Sequence, residues 1–269
     1  MQIGICSYSF HRLLRSGKQD IFGYISACKA LGCTQLDPWN SHLPPVANGT
    51  GPLSEEDKRY LLDVRRAADD AGIPFGMLVV DGAHVYEPTP EARAVNRSKA
   101  LRHLDAAAIL GANQIRIDGG GPDELTDEVL TVIGAGYRDL IDRAAPRGIH
   151  VVVENHRGSQ KHPDHLIRLL ENVPGLGLLF DSNNWFPGLR DEARQRCARY
   201  ATSTHIKTHD WDAEGNPTGD ADPIGAIEAL KAVGYKGCWG IESVPTDGDE
   251  VEGARKTVEL LRKHVGNAS

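Results

Sequence analysis

One buried stretch of the chain ends in side chains that could carry out chemistry. Val151–Val153 is a run of three β-branched residues, which is typical of a strand buried on both faces. Glu154, Asn155 and His156 follow it directly. A carboxylate that leaves a buried strand must be paired, hydrogen-bonded or bound to a cation, because an unpaired charge is costly to remove from water. We therefore predict that Glu154 is a ligand of a metal ion.

Three later segments end in side chains of the same kind. Asp181 ends the run Leu-Leu-Phe-Asp, His205 lies in Thr-His-Ile-Lys, and Glu242 follows Gly-Ile. On consecutive parallel strands these groups would meet Glu154 at one rim, where a cation would offset the repulsion among three carboxylates. Such a donor set suits Mn²⁺ or Mg²⁺, with Zn²⁺ or Co²⁺ as the alternative. One acidic residue at a strand end is as often a helix cap, but recurrence over four strand ends favours the metal site.

The rest of the sequence predicts the scaffold that positions these groups. Short apolar runs alternate with longer amphipathic segments over the 269 residues. This β-then-α pattern indicates an α/β fold, a (β/α)8 TIM barrel that spans 1–269 as a single domain. The rival is a doubly wound open sheet, which usually has a glycine-rich turn where this chain has Ser7–Phe10. Strands are predicted at 2–7, 34–37, 74–80, 114–118, 150–154, 177–181, 202–207 and 237–242, and helices at 20–31, 54–71, 91–110, 127–145, 163–172, 191–200, 223–233 and 250–265.

Composition narrows the class of protein. Apolar residues make up 40% of the chain and charged residues 25%, which is ordinary for a globular enzyme. The net charge of −7 argues against nucleic acid as a partner, and no apolar run is long enough for a membrane span.

No secretory signal is recognisable at the N-terminus, so we expect a cytoplasmic protein. The sequence leaves the oligomeric state open and allows a homo-oligomer. The cysteines are odd in number and lack CxxC spacing, which indicates free thiols: Cys6, Cys28, Cys33, Cys197 and Cys238.

Further polar and aromatic residues near strand ends are candidates for substrate binding. Lys207 shares a strand face with His205 and could polarise a substrate oxygen or bind a phosphate; an ion pair at the rim is the alternative. Arg116 could bind substrate or form a structural ion pair. Trp39 could stack on the C–H face of a sugar ring, although loop packing is the more common role of such a tryptophan. His84 follows the third strand, and His156 follows the fifth.

Three segments resemble the xylose isomerase-like barrel superfamily, and the resemblance covers essentially the whole chain. Residues 106–112 leading into 115–117 resemble the passage from helix to fourth strand. Glu154-Asn155-His156 is similar to the fifth-strand motif, and His205-Ile206-Lys207 is similar to the seventh-strand His-x-Lys. The superfamily includes sugar-phosphate isomerases, ketose 3-epimerases, inosose dehydratases, hydroxypyruvate isomerases and endonuclease IV-type repair enzymes.

The resemblance implies roles for the four predicted ligands. Glu154, Asp181, His205 and Glu242 match the metal ligands of the superfamily. In its isomerases and epimerases, the carboxylates matching Glu154 and Glu242 also remove and return a proton beside a carbonyl or hydroxyl, while the metal holds the substrate oxygens. The epimerase branch often has a histidine at the position of Asn184, which can hydrogen-bond a sugar hydroxyl but cannot act as an acid. A further carboxylate that some epimerases carry after the fifth strand is absent from 157–160.

Four functions are compatible with these residues, with a metal-dependent isomerase or epimerase of a small sugar, keto-sugar or polyol in the lead. A dehydratase or lyase acting on an inosose or 3-keto-glycoside would use the same proton abstraction, and product mass separates the two. DNA repair of the endonuclease IV type would need further histidine ligands and a basic groove. A sugar-binding barrel without turnover is the fourth alternative.

Overall fold

Eight parallel strands form the centre of the molecule in a computed structural model that describes residues 1–47, 49–246 and 248–266. Each strand pairs with its neighbour in sequence, and the last strand pairs with the first. Seven of the eight pairs around the ring form parallel ladders. The strands are β1 (Ile3–Cys6), β2 (Gln35–Asp37), β3 (Met77–Val80), β4 (Gln114–Ile117), β5 (His150–Glu154), β6 (Gly177–Asp181), β7 (Ala201–Thr208) and β8 (Trp239–Ser243).

A helix follows each strand and covers the outside of the sheet. The eight outer helices are α1 (Ile21–Ala30), α2 (Glu55–Ala71), α3 (Pro90–Leu110), α4 (Asp127–Ala144), α5 (Pro163–Asn172), α6 (Arg190–Cys197), α7 (Pro223–Ala232) and α8 (Glu250–Val265). Each element predicted from the sequence is present, and β5, β6, α5 and α8 begin and end at the predicted residues. The predicted (β/α)8 barrel is therefore confirmed.

The barrel closes between β2 and β3 through irregular contacts. The amide of Leu36 donates to the carbonyl of Pro74 at 2.9 Å, and that of Gly76 donates to the carbonyl of Leu36 at 2.9 Å. Isolated bridges link Leu36 to Phe75 and Trp39 to Val79. The sheet is thus a nearly closed ring that brings the C-terminal ends of its strands to one rim.

Alternation along β5 divides its side chains between two apolar clusters. Val151 and Val153 belong to the large cluster between sheet and helices, whereas Val152 belongs to an inner cluster with Leu179 and other interior residues. Glu154 lies two residues beyond Val152 and therefore shares its inward face. The apolar run thus explains how a carboxylate comes to lie inside the barrel.

Tyr24 ties two strands together near the closure. Its hydroxyl donates to the carbonyl of Ile5 at 2.7 Å and accepts from the amide of Asp37 at 2.8 Å. We expect Tyr24→Phe to lower the free energy of unfolding by about 1–3 kcal/mol, because two buried backbone groups lose their partner. Urea unfolding checks this value. Tyr60→Phe, at a half-buried site on α2, is the control, and equal effects of both substitutions would contradict the assignment.

The sequence did not predict three small elements near the rim. Short helices at His11–Arg15 and Pro44–Ala47 lie in the loops after β1 and β2. Asp210–Trp211 and Pro217–Thr218 form a hairpin after β7. Within the described ranges, no helix has both the length and the apolar character that a membrane span requires.

Candidate active site

The four side chains predicted as metal ligands meet inside the C-terminal end of the barrel. Each of Glu154, Asp181, His205 and Glu242 offers one ligand atom, and these atoms all lie within 4.8 Å of one another. All four residues are buried. Asp181 pairs directly with His205 across the ladder between β6 and β7, so the sheet register itself sets two of the four positions.

Asn155 fixes the ends of β5 and β6 relative to each other. Its amide nitrogen donates to the carbonyl of Asp181 at 2.9 Å, and its amide oxygen accepts from the backbone nitrogen of Asp181 at 2.8 Å. Asp181 Oδ1 accepts in turn from the amides of Asn183 and Asn184 at 2.7 and 2.9 Å. The asparagine between Glu154 and His156 therefore positions the site by bonding the backbone of the neighbouring ligand.

His205 lies between the two glutamates. Its Nδ1 is 3.2 Å from Glu154 Oε1 and 3.2 Å from Glu242 Oε2. Burial lowers the pKa of His205, but its interactions with Cys6 and Glu154 outweigh burial and raise that pKa well above its ordinary value. The neighbouring carboxylate of Glu154 therefore favours the protonated form of this imidazole.

Lys207 provides a second cation on the same strand face. Its Nζ lies 2.9 Å from Glu242 Oε1 and 3.1 Å from Asp181 Oδ2, and it donates to Asn184 Oδ1 at 2.9 Å. Burial raises the pKa of Glu242, but Lys207 and His205 reverse this effect and hold it well below its usual range. Burial raises the pKa of Asp181, and Lys207 only partly opposes that rise. The pKa values of the two carboxyl groups therefore shift in opposite directions, because Asp181 also faces the charges of Glu242 and Glu154.

The donor set fits a divalent cation. It consists of three carboxylates and one imidazole, a combination that suits hard or borderline metal ions. Asp181 Oδ2 is buried and makes no hydrogen bond to any described residue; its charge is met by the ion contact with Lys207. This oxygen points towards the other donors and remains available as a ligand.

Arg116 forms the base of the site and binds three carboxylates. Its Nε lies 2.8 Å from Glu154 Oε2, and its Nη1 lies 2.8 Å from Asp81 Oδ1 and 3.3 Å from Asp118 Oδ2. The arginine is 3% exposed. Burial would raise the pKa of Glu154, but Arg116, together with His156 and His205, brings it below its ordinary value. Arg116 therefore keeps Glu154 ionised and fixes its orientation.

Buried His103 supports the network from the α3 side. Its Nε2 is 3.3 Å from Asn40 Nδ2, and that amide also donates to the carbonyl of Asp81 at 3.1 Å. His103 Nδ1 is 2.8 Å from the carbonyl of Lys99, which makes it the donor and leaves Nε2 as the acceptor. The neutral histidine thus anchors Asn40, which holds the loop that carries Asp81.

Burial lowers the pKa of His103 to about 4, from which we predict acid sensitivity. The pKa of His103 is lower in the folded state than in the unfolded chain. Neutral His103 therefore contributes fully to the free energy of unfolding above about pH 6.5, and this contribution is lost as the pH falls towards 4. We expect this group to account for about 2–3 kcal/mol of lost stability at pH 4.5. Urea unfolding at pH 7 and 4.5 should show a smaller loss for His103→Gln than for the wild type, and equal losses would contradict the prediction.

A cavity of about 270 Å³ adjoins the predicted metal ligands, of which Glu242 lines it. Four residues predicted to bind substrate line it: Trp39, Arg116, His156 and Lys207. Asn184 reaches the site through Lys207 and through Glu154 Oε1, which is 3.5 Å from its amide nitrogen. His84 does not line this cavity; it borders an adjoining cleft. The structure therefore brings together all the predicted site residues except His84.

Asp81, Cys6 and Tyr8 are among the residues of this cavity that were not predicted from the sequence. Asp81 directly follows β3 and would have been found had the ends of the early strands been read like those of the later ones. Cys6 ends β1 and could form a ligand group with His205 and Glu242. Tyr8 packs edge-on against Trp39, with ring centroids 5.1 Å apart. Asp118, directly after β4, holds His156 Nδ1 at 3.0 Å.

Most of the chain matches a known protein family. Residues 25–264 match the model of a family described as the xylose isomerase-like TIM barrel. Among curated proteins, none matches the chain in sequence.

Solved structures share the fold at low sequence identity. The IolI protein with a bound zinc atom superposes with a TM-score of 0.77 at 14% identity, covering 98% of this chain and 99% of its own. D-allulose 3-epimerase from Methylomonas sp. gives 0.76 at 15% identity, covering 98% of each chain. The probable 3-DHS dehydratase AsbF from Bacillus anthracis gives 0.71 at 15% identity, covering 97% of this chain and 99% of its own. These likenesses establish the fold.

Proposed function

This chain belongs to the xylose isomerase-like TIM-barrel family, and we propose on that basis that it is a divalent-metal-dependent isomerase or epimerase of a small sugar, keto-sugar or polyol. The observation that carries the proposal is the convergence of Glu154, Asp181, His205 and Glu242 on one point, with Glu242 also lining a cavity. An epimerase and a dehydratase among the structural neighbours are consistent with sugar chemistry on this fold.

In this proposal Glu154 and Glu242 exchange protons with a bound substrate. They approach the same imidazole from β5 and β8, and each is held ionised by its own cation, Arg116 or Lys207. An ionised carboxylate can accept a proton from a carbon beside a carbonyl and, once protonated, can return it to the neighbouring carbon in an isomerisation. In an epimerisation the second carboxylate first takes up a proton from solvent and then donates it to the opposite face of the carbon. The pair therefore supplies both proton transfers of an isomerisation or epimerisation.

The proposed metal, Mn²⁺ or Mg²⁺ with Zn²⁺ or Co²⁺ as alternatives, would be held by Glu154, Asp181, His205 and Glu242. When bound, it would act as a Lewis acid on the substrate oxygens. Lys207 and Arg116 would hold the carboxylates in place, and Lys207 and Asn184 would donate hydrogen bonds to substrate hydroxyls. Trp39 offers a flat apolar wall for the C–H face of a sugar, its Nε1 being fixed to Asp81 Oδ2 at 3.0 Å.

A dehydratase or lyase is the second candidate, favoured by the placement of His156. Asp118 holds its Nδ1 at 3.0 Å, and the residue lines the cavity. A histidine fixed in this way can present its other nitrogen to a leaving group and protonate it. This would turn the same proton abstraction into loss of water or of an aglycone.

Deuterium exchange tests the proposal and separates its two branches. The metal-loaded protein is incubated in D2O with a panel of ketoses and keto-glycosides. We expect deuterium at a carbon beside the carbonyl in a product that is otherwise of unchanged mass. Deuterium together with loss of water or an aglycone would support the lyase branch. No exchange in any compound, with metal bound, would contradict both.

A further inference from the structure

A second and larger cleft continues outward from the candidate active site. The inner cavity measures about 270 Å³ and the outer cleft about 730 Å³. His156 and Arg157 line both. Small-molecule sites usually have volumes of about 300–1,000 Å³, so the inner cavity alone lies just below this range. One sugar ring suits the inner cavity, and the outer cleft leaves room for a second unit.

Buried Asp118 holds the boundary between the two spaces. Its Oδ2 is 3.0 Å from His156 Nδ1 and 3.5 Å from Arg157 Nε. The side chain of Arg157 is otherwise 52% exposed, and it borders the outer cleft. His156 and Arg157, which lie between the inner cavity and the outer cleft, are therefore positioned by the same carboxylate, and that carboxylate also binds Arg116.

The floor of the outer cleft is built from three loops that are bonded to one another. The amide of Tyr86, after β3, donates to the carbonyl of Gly119, after β4, at 2.8 Å, and the amide of Ser159, after β5, donates to the carbonyl of Pro122 at 2.8 Å. Gly158 has φ +55°, and a β-carbon there would lie 2.5 Å from the carbonyl oxygen of Gly121. Only glycine permits this approach, so the cleft is a formed surface and not a gap between loose loops.

The lining of the cleft combines an aromatic ring with charges of both signs. The ring of Tyr86 lies against Gly121, where a β-carbon would be 3.4 Å from its Cγ. A sugar ring packs its C–H face on an aromatic ring and uses hydroxyls that both donate and accept hydrogen bonds. Because two cations and two carboxylates line the cleft and His156 is paired with buried Asp118, neither sign of charge dominates, which favours a neutral saccharide over an anion. The cations are Arg157 and Lys161, and the carboxylates are Glu87 and Asp123.

We propose that the outer cleft is a second saccharide subsite, and that the substrate is a disaccharide or glycoside whose reacting ring occupies the inner cavity. The proposal rests on the proposed function for the identity of the reacting ring. Tyr86 and Lys161 would contact the second unit, whereas His156 and Arg157 would contact both.

Binding without turnover tests the subsite. Affinities for D-glucose, D-fructose, cellobiose and sucrose are measured by titration calorimetry, and contacts to each ring by saturation-transfer NMR. We expect the disaccharides to bind at least about tenfold more tightly than the monosaccharides, with saturation reaching protons of both rings. In Tyr86→Ala this advantage should fall to within about twofold, with monosaccharide affinity unchanged.

Phe22→Ala, at an aromatic residue 39% exposed on α1, is the matched control and should retain the advantage. Lys161→Met provides a second variant should Tyr86→Ala fail to fold, and it should also reduce the tighter binding of disaccharides.

Three results would overturn the proposal: equal affinities for monosaccharides and disaccharides, no binding of any of the four sugars, or tighter binding of inorganic phosphate than of the disaccharides. Disaccharide binding without deuterium exchange contradicts only the proposed function, and exchange in free ketoses without a disaccharide advantage contradicts only the subsite.

Discussion

Replacement of Glu154 by glutamine is expected to lower kcat/KM by about 10³-fold or more while the barrel stays folded. Glutamine has nearly the same shape and keeps an oxygen that Arg116 can bond, so the packing below the site should be preserved. It cannot accept the substrate proton and is a poor ligand for a hard cation. Steady-state kinetics on the compound identified by deuterium exchange measures the loss, and thermal unfolding verifies the fold.

Asp57→Asn is the matched control for this substitution. Asp57 is also a buried carboxylate that binds an arginine, with Arg102 Nη2 at 2.9 Å, but it belongs to the capping box of α2 and does not line the cavity. We expect this control to lose stability and to keep its activity per folded molecule. If Glu154→Gln keeps more than about a tenth of the wild-type kcat/KM, its proposed role in proton transfer is wrong.

The positions of the ligands could be predicted because they depend on local periodicity. In a parallel strand buried on both faces, side chains alternate between the helix layer and the interior, so Val152 and Glu154 must share a face. Consecutive strands of a barrel bring their C-terminal ends to one rim, which turns residues far apart in sequence into neighbours. These two rules suffice to bring Glu154, Asp181 and His205 together.

The ion pairs below the ligands could not be predicted in the same way. Arg116 shares an inward face with the site, but its partners Asp81, Asp118 and Glu154 lie at the ends of three different strands. Which carboxylate it contacts depends on strand stagger and side-chain rotamers, and sequence periodicity determines neither. His84 shows the same limit, since its place after β3 was clear while its orientation towards the outer cleft depended on the path of the loop.

Removal of the Arg116 side chain is expected to have the largest effect on stability. In Arg116→Met the carboxylates of Asp81, Asp118 and Glu154 lose a shared counterion at the wall of the barrel interior. Breaking a buried pair by deleting one partner usually costs about 3–5 kcal/mol, because the remaining charge stays desolvated. We expect a loss in this range by urea unfolding at pH 8. The loss should be smaller at pH 5, where the stranded carboxylates can take up protons and lower their mutual repulsion.

Arg97→Met is the control for this second prediction, since it removes an arginine from an exposed ion pair. Arg97 Nε lies 2.7 Å from Asp139 Oδ2, but the two side chains are 43% and 35% exposed to water. Exposed pairs contribute about 0–1 kcal/mol, so this variant should unfold close to the wild type at both pH values. If Arg116→Met proves as mild as Arg97→Met, the three carboxylates do not depend on the arginine, and its role in orienting Glu154 is wrong. If Arg116→Met is destabilised equally at pH 5 and pH 8, lost packing of the long side chain explains the effect better than lost charge.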